Sequence, residues 1–215
     1  MIRKPSAGLW SVALLLGLSA LGCNAGGVGD PCTPEDEYQQ NFNGFQVTET
    51  NVESRSFQCE TRLCLVNHFQ GRVSCRQGQG SQLDAAGMPV TSGYAPKCSI
   101  PGTAPSNNPG DLNNINVSVP AQLTERQTDK AVYCSCRCDG PDKNARYCEC
   151  PEGFKCAKLV DELKITNGAG QLAGSYCIRS GTDYVEEGYS TETCRDNPAK
   201  CGCGGENQPD ECGLK

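Results

Sequence analysis

Seventeen cysteines, none of them before position 23, constrain this 215-residue chain more than any other feature. An odd number in an exported chain leaves one thiol that no internal disulfide absorbs. From residue 23 onward there are 193 residues, of which Leu, Ile, Val and Phe supply only 29, about 15%, while Gly and Pro supply 34. Chains that poor in apolar side chains stay disordered without other support, so a large hydrophobic core is excluded. The same span carries 17 positive and 25 negative side chains. No basic block is present to neutralise phosphates, which excludes a nucleic-acid binder that works by a basic surface. The expectation is a small disulfide-rich fold, mainly β with long irregular loops. Its short hairpins would be braced by about eight disulfides, with at most one or two short helices.

Met1 to Lys4 is a short basic segment, and Ala7 to Gly22 is an uncharged apolar run containing Leu14-Leu15-Leu16. That is the shape of an export signal, and at about 16 residues the run is shorter than the ~20 a spanning helix needs. It ends Ser19-Ala20-Leu21-Gly22-Cys23, which resembles the lipobox of bacterial lipoproteins, with Ala20 where many carry Leu. The resemblance implies cleavage between Gly22 and Cys23, a diacylglyceryl group on the Cys23 thiol, and acylation of the new amine. Lipid on Cys23 also resolves the parity, because sixteen cysteines remain. Two or three acyl chains meet the requirement for stable attachment, which one short chain does not. Asn24 stands where an Asp favours inner-membrane retention in well-studied lipoproteins of this type. The implied location is therefore the cell envelope, at the outer membrane, on its periplasmic or its surface-exposed face. The bland alternative is an ordinary signal peptide cut nearby, with Cys23 in a disulfide.

Composition divides the rest. Residues 1–22 read as signal, 23–31 as lipidated Cys and flexible Gly-rich tether, and 32–98 as an N-terminal Cys-rich lobe. Residues 99–131 form a Pro/Asn/Gly-rich connection, 132–181 a Cys-rich hairpin lobe, and 182–215 a disulfide-knotted tail, the lobes being cross-linked into one unit. The disulfide candidates are Cys32, Cys59, Cys64, Cys75 and Cys98, then Cys134, Cys136, Cys138, Cys148, Cys150, Cys156 and Cys177, then Cys194, Cys201, Cys203 and Cys212. If all sixteen pair, the first five cannot close among themselves, so at least one bridge must leave that lobe. Metal is the competing use of dense sulfur, but zinc sites favour C-x-x-C pairs and histidine. This chain has no C-x-x-C and one histidine, His68, so no metal and no cofactor is assigned.

Cys134, Cys136 and Cys138 would line one face of a strand, and Asp139 to Asn144 is a strong turn signal. Facing residues of an antiparallel hairpin share an index sum, so one register opposes Cys138 to Cys148 and Cys136 to Cys150. The expectation is a hairpin in which these pairs bond across it or point together into a second layer. Cys148-Glu-Cys150-Pro-Glu-Gly153-Phe154-Lys-Cys156 resembles the end of an EGF-like module. It covers nine residues, has a short last interval and lacks a calcium-type acidic entry, so it reads as convergent loop chemistry.

A weak repeat relates Cys59-x4-Cys64-Leu-Val and Cys75 to Cys150-x5-Cys156 and Cys177, each reading as an outgoing and a returning strand. Ile115 to Val119 alternates like one strand, Gln122 to Ala131 suits a short helix, and Leu159 to Leu163 is a second helix candidate.

Catalytic patterns are absent: there is no G-x-S-x-G, no H-E-x-x-H and no phosphate loop. The lone His68 beside Phe69 reads as packing or surface. The carboxylate pairs Asp36-Glu37, Asp161-Glu162 and Glu186-Glu187 read as solvated charge. No catalytic residue is assigned and the chain is expected to be non-enzymatic. The leading expectation is a lipid-anchored envelope or surface lipoprotein whose disulfide-stabilised ectodomain is an interaction or structural module. Its partners would be membrane lipid through acylated Cys23 and an envelope or extracellular protein. The alternatives are a protease-inhibitor-like or ligand-recognition module, presenting residues 77–116 or the tail, then a metal-thiolate protein or an unrecognised enzyme.

Overall fold

The computed structural model describes residues 25–80, 98–104, 106, 111–161 and 172–202. Gly22, Cys23, Cys203 and Cys212 lie outside the described residues, as does the expected signal.

Two three-stranded antiparallel sheets carry the chain. The first joins β1 (Thr50–Glu53), β2 (Leu63–Asn67) and β3 (Val132–Ser135) in the order β1-β2-β3. The second joins β4 (Arg137–Asp139), β5 (Phe154–Val160) and β6 (Gly174–Arg179) in the order β4-β6-β5. Among the described residues, a single helical turn, α1 (Thr128–Ala131), and the 3-10 turns Glu35–Tyr38 and Pro198–Cys201 accompany the strands. The fold is therefore mainly β, small and loop-rich.

Strand β2 explains how so little apolar material suffices. Alternation sends neighbouring side chains to opposite faces, and Leu63-Cys64-Leu65-Val66 uses both. Leu65 joins Tyr133 of β3 in packing against Tyr176 and Ile178 of β6, which places one core between the two sheets. Cys64 and Val66 face the other way, into a cluster with Cys32, Cys59, Cys134, Phe45, Phe69 and Val132. With Ala131 the cluster has nine buried residues, four of them cysteines, so sulfur here is filling as well as cross-link. Gly174 (φ +146) closes the second sheet, because a Cβ there would collide with the Asp139 carbonyl.

Seven disulfides join described residues: Cys32–Cys64, Cys59–Cys134, Cys75–Cys98, Cys136–Cys148, Cys138–Cys156, Cys150–Cys177 and Cys194–Cys201. Cys59–Cys134 crosses 75 residues and ties the N-terminal Cys-rich stretch to the later one.

The expected hairpin from Cys134–Cys138 to Cys148–Cys150 does not form. Its opposed pairs are not the bonded ones: Cys136 bonds Cys148, Cys138 bonds Cys156, and Cys150 bonds Cys177. The turn exists, with the Asn144 N–H on the Asp142 carboxylate at 2.9 Å. Residues 148–153, however, are Cys-Glu-Cys-Pro-Glu-Gly, without an apolar side chain for the inter-sheet core and with a Pro that cannot donate. Strand β4 takes β6 instead, pairing Arg137 with Tyr176. The repeat also dissolves. Its second half is the β5–β6 hairpin, whereas β2 pairs with β1 and β3 and residues 71–78 form isolated bridges only.

Other elements shrink for the same reason, competition for backbone partners. The helix expected over Gln122 to Ala131 keeps only its last turn. The Gln122 N–H goes to the Arg76 carbonyl, the Thr124 N–H goes to Glu192, and Leu123 bridges Thr193. Leu159 and Val160 continue β5 rather than start a helix. The Ile115–Val119 strand reduces to bridges Ser99–Asn114 and Gln79–Val119, with the Gln79 amide donating to the carbonyls of Ile115 and Val117 at 2.8 and 2.7 Å.

Glu37 departs furthest from its reading as solvated charge. It is 0% exposed and pairs with Arg72, also 0% exposed, at 3.4 Å. The Arg72 guanidinium donates to the carbonyls of Gln39, Phe42 and Glu37, while the Glu37 carboxylate accepts from the Val73 N–H and the Ser74 hydroxyl. Burial pushes the Glu37 carboxyl up and the Arg72 guanidinium down, each partly offset by the other's charge.

Two outcomes follow for unfolding in guanidinium chloride. Serine at both ends of Cys59–Cys134 is expected to cost about 4 kcal/mol, and the same change at Cys194–Cys201 about 2 kcal/mol, because the closed loops differ in length. Arg72→Met leaves a buried carboxyl without its cation and is expected to cost about 3–5 kcal/mol.

Candidate functional site

The nine-residue connection from β1 to β2 builds a surface cavity of about 600 Å³, lined by its residues 54–58 and Arg62 together with Thr33, Glu35, Tyr38 and Glu53. Its shape is held from several directions. The Ser56 N–H donates to the Arg62 carbonyl at 3.1 Å, and the Arg62 N–H to Cys59 at 3.0 Å, which requires the left-handed backbone of Arg62 (φ 63). Cys59 is fixed by its disulfide. Gln58 clamps the Thr33 backbone twice, its Nε2 donating to the Thr33 carbonyl at 2.9 Å and its Oε1 accepting the Thr33 N–H at 3.0 Å. Glu53 accepts the Glu35 N–H at 3.1 Å.

The walls carry side chains with unspent chemistry. Phe57 is 84% exposed and Tyr38 48%. The Arg62 guanidinium sits 4.8 Å from the Phe57 ring centroid. Neither Arg55 nor Arg62 makes an ion pair with a described residue, although the chain is acidic overall. Ser56 is buried and its Oγ has no hydrogen-bond partner. Burial pushes the Glu53 carboxyl up, and the charges of Glu35 and Asp36 push the same way. The cavity falls in the size range of ligand sites, which combine apolar walls with a few placed polar groups.

None of Tyr38, Arg55, Phe57 or Arg62 belongs to a motif in the sequence. The available signal was local: Arg55 and Phe57 sit between two Ser residues and a Gln, in a chain with only five Phe. Of the loops expected to present themselves to a partner, residues 81–97, 105 and 107–110 of the 77–116 stretch and residues 203–215 of the tail lie outside the described residues.

His68 is a packing residue in its geometry. It follows β2 with a left-handed backbone (φ 50), and its ring stacks on Tyr184 at 4.0 Å and 7°. Its Nδ1 is 2.9 Å from the Val47 carbonyl, so that nitrogen carries the hydrogen. The orienting partner is thus a carbonyl, not a carboxylate. The His68 carbonyl accepts from Arg126, whose guanidinium also reaches Asn67 and Thr182. Asp161 and Glu186-Glu187 are exposed; Glu162 lies outside the described residues.

The dense sulfur gathers in three triads, Cys32-Cys59-Cys134, Cys136-Cys148-Cys177 and Cys138-Cys150-Cys156, each with its sulfurs within 4.8 Å of one another. Every member belongs to a disulfide, and a cystine sulfur is not the thiolate that a soft metal binds. The Cys150–Cys177 bond lies between its neighbours, with Cys177 Sγ 3.6 Å from Cys136 Sγ and 3.8 Å from Cys148 Sγ. Compared with protein-family models, curated proteins and solved structures, the chain matches none.

As the only imidazole, His68 gives a direct test of its surroundings. Burial, then the nearby Arg126 charge, lowers its pKa below the ordinary 6.5. The folded state therefore takes that proton less readily than the unfolded chain. Stability is full above pH 6.5 and declines as pH falls below it. The single histidine resonance is expected to titrate below 6.5, and His68→Asn, which tolerates the left-handed backbone, to flatten the fall in melting temperature between about pH 7 and 5.

Proposed function

We propose that this chain is a bacterial envelope lipoprotein, held in the membrane by acyl chains on Cys23, with a non-enzymatic, disulfide-braced ectodomain that serves as an interaction module. The observation that carries the reading is the arithmetic of sulfur. All fourteen cysteines among the described residues are paired. The other three are Cys23, Cys203 and Cys212. Cys203 and Cys212 are close enough in sequence to close the tail, which leaves Cys23 as the spare thiol at the position where the lipobox resemblance puts lipid. Disulfides persist in the oxidising compartment to which such a signal leads. Asn24 favours the outer membrane.

A purely structural role accounts less well for the cavity beside β1. Covalent bracing frees the surface from stabilising the fold, and this surface carries an exposed Phe57, two guanidiniums without ion pairs and a buried hydroxyl without a partner. With no ion pair or hydrogen-bond partner among the described residues, those groups suit recognition. The lone imidazole is spent on Val47 and Tyr184, which favours binding over turnover.

The test is intact mass of the membrane-extracted protein before and after reduction and alkylation. The expected result is a mature chain beginning at Cys23 with the added mass of two or three acyl chains, and alkylation of every other cysteine only after reduction. Cys23→Ser is expected to lose the acyl mass and leave the membrane fraction. An unmodified Cys23, or a Cys23 found in a disulfide, overturns the reading. Capture of an envelope protein by the ectodomain identifies the interaction partner.

A further inference from the structure

Within the expected flexible tether over residues 23–31, residues 26–30 are sewn to the body. The Gly26 N–H donates to the Gln58 carbonyl at 2.7 Å, and the Gly26 carbonyl accepts from Glu60 at 2.9 Å, a parallel bridge beside Cys59. Gly29 and Asp30 then exchange hydrogen bonds with Cys134 at 2.8 Å each, and Arg179 donates to the Gly29 carbonyl at 2.8 Å. Cys23 precedes Gly26 by three residues. A trans chain spans at most about 3.6 Å per residue, so lipid on Cys23 departs within about 11 Å of Gly26. Gly26 lies against Gln58, the neighbour of Phe57. An anchor on so short a lead fixes which side of the protein faces its membrane, and that side is the loop of residues 54–62.

The loop's side chains suit that surface. Phe57, at 84% exposure, is the most exposed of the large apolar side chains, and an aromatic ring is favourable at a membrane interface. Arg55 and Arg62 flank it in sequence and make no ion pair with a described residue, and guanidinium is the side chain best matched to phosphate. Glu35 and Glu53 line the same cavity. Two cations and two anions on one cavity complement a headgroup that carries both a phosphate and an ammonium. The net negative charge of the mature chain argues against adhesion by bulk electrostatics, so the fit has to be local.

We propose that the cavity bounded by Tyr38, Arg55, Phe57 and Arg62 docks on the phospholipid headgroups of the membrane that holds the anchor. The guanidiniums meet phosphate, and Phe57 enters the interface. This rests on the lipoprotein reading above and adds to it the orientation of the ectodomain. The acyl chains supply the affinity, and the loop supplies a fixed pose.

The mature chain has no Trp, since Trp10 lies in the signal, so Phe57→Trp places a sole indole at the point of contact. The acylated variant is reconstituted in vesicles of equal parts phosphatidylethanolamine and phosphatidylglycerol, and compared with Leu112→Trp, a site 76% exposed in the wild-type chain. The expected result is a blue-shifted emission at position 57, loss of most iodide quenching, and quenching by lipids brominated near the headgroup, with none of these at position 112. Adding Arg55→Gln and Arg62→Gln is expected to restore iodide access at position 57 about tenfold, the equilibrium effect of removing charge-assisted hydrogen bonds. If the protein sediments with vesicles while the position-57 indole stays fully quenchable by iodide, docking is wrong and anchoring stands. Equal shielding at positions 57 and 112 also overturns the assigned face. Protein left in the supernatant overturns both readings.

Discussion

The Cys59–Cys134 bond is the constraint on which the rest of the arrangement depends. It joins the β1–β2 connection to β3, two segments 75 residues apart in sequence, and so sets β2 and β3 side by side without help from a large apolar face. Its sulfurs also fill space, since both cysteines are fully buried within the cluster on one side of the first sheet. Two residues further on, Cys136 carries the chain out of that sheet and Cys138 opens the second, so a run of five residues links both layers and three disulfides. A covalent bond restrains the unfolded chain as well as the folded one. That is why 29 Leu, Ile, Val and Phe side chains suffice for the 193 residues from Cys23 onward.

Short strands leave many backbone groups without a ladder, and buried ones need partners. Long polar side chains supply them. Arg72 binds three carbonyls. Gln79 binds two carbonyls and the Cys98 N–H, Gln122 reaches the Arg72 carbonyl, and Arg126 holds those of Asn67 and His68. All four are buried. The interior thus contains a second framework, of amides and guanidiniums, that does for the loops what strand pairing does for the sheets. Glu37 belongs to it as the counter-charge that lets Arg72 stay buried.

This explains what was legible in the sequence and what was not. Cysteine density and scarcity of apolar residues led directly to a small, mainly β, disulfide-rich fold, because both are totals that no arrangement alters. Pairing was not legible. An index sum describes two strands alone, and here a third strand, β6, offered Tyr176 and Ile178 to the core where residues 148–153 had nothing apolar to offer. Glu37 looked like surface charge because its partner lies 35 residues away and makes no periodic pattern with it. The cavity residues were invisible for the same reason: Tyr38, Arg55, Phe57 and Arg62 come from two segments that meet only because Gln58 clamps Thr33 and Cys59 is bonded to Cys134.

The segment just after the proposed anchor has a structural task of its own. By exchanging hydrogen bonds with Cys134, Gly29 and Asp30 cover the outer edge of β3, which would otherwise expose unpaired backbone groups to a second chain. The same contact puts the start of the fold against the residue that carries the central disulfide. Any load applied at Cys23 therefore passes through three residues into the hydrogen bonds of Gly26, and from there through Cys59 and Cys134 into both sheets. A tether joined at a loop tip would leave the ectodomain free to tumble. Under the anchoring proposed at Cys23, a join here, beside Gln58 and Phe57, would make the orientation of the ectodomain a consequence of how the edge of β3 is sealed.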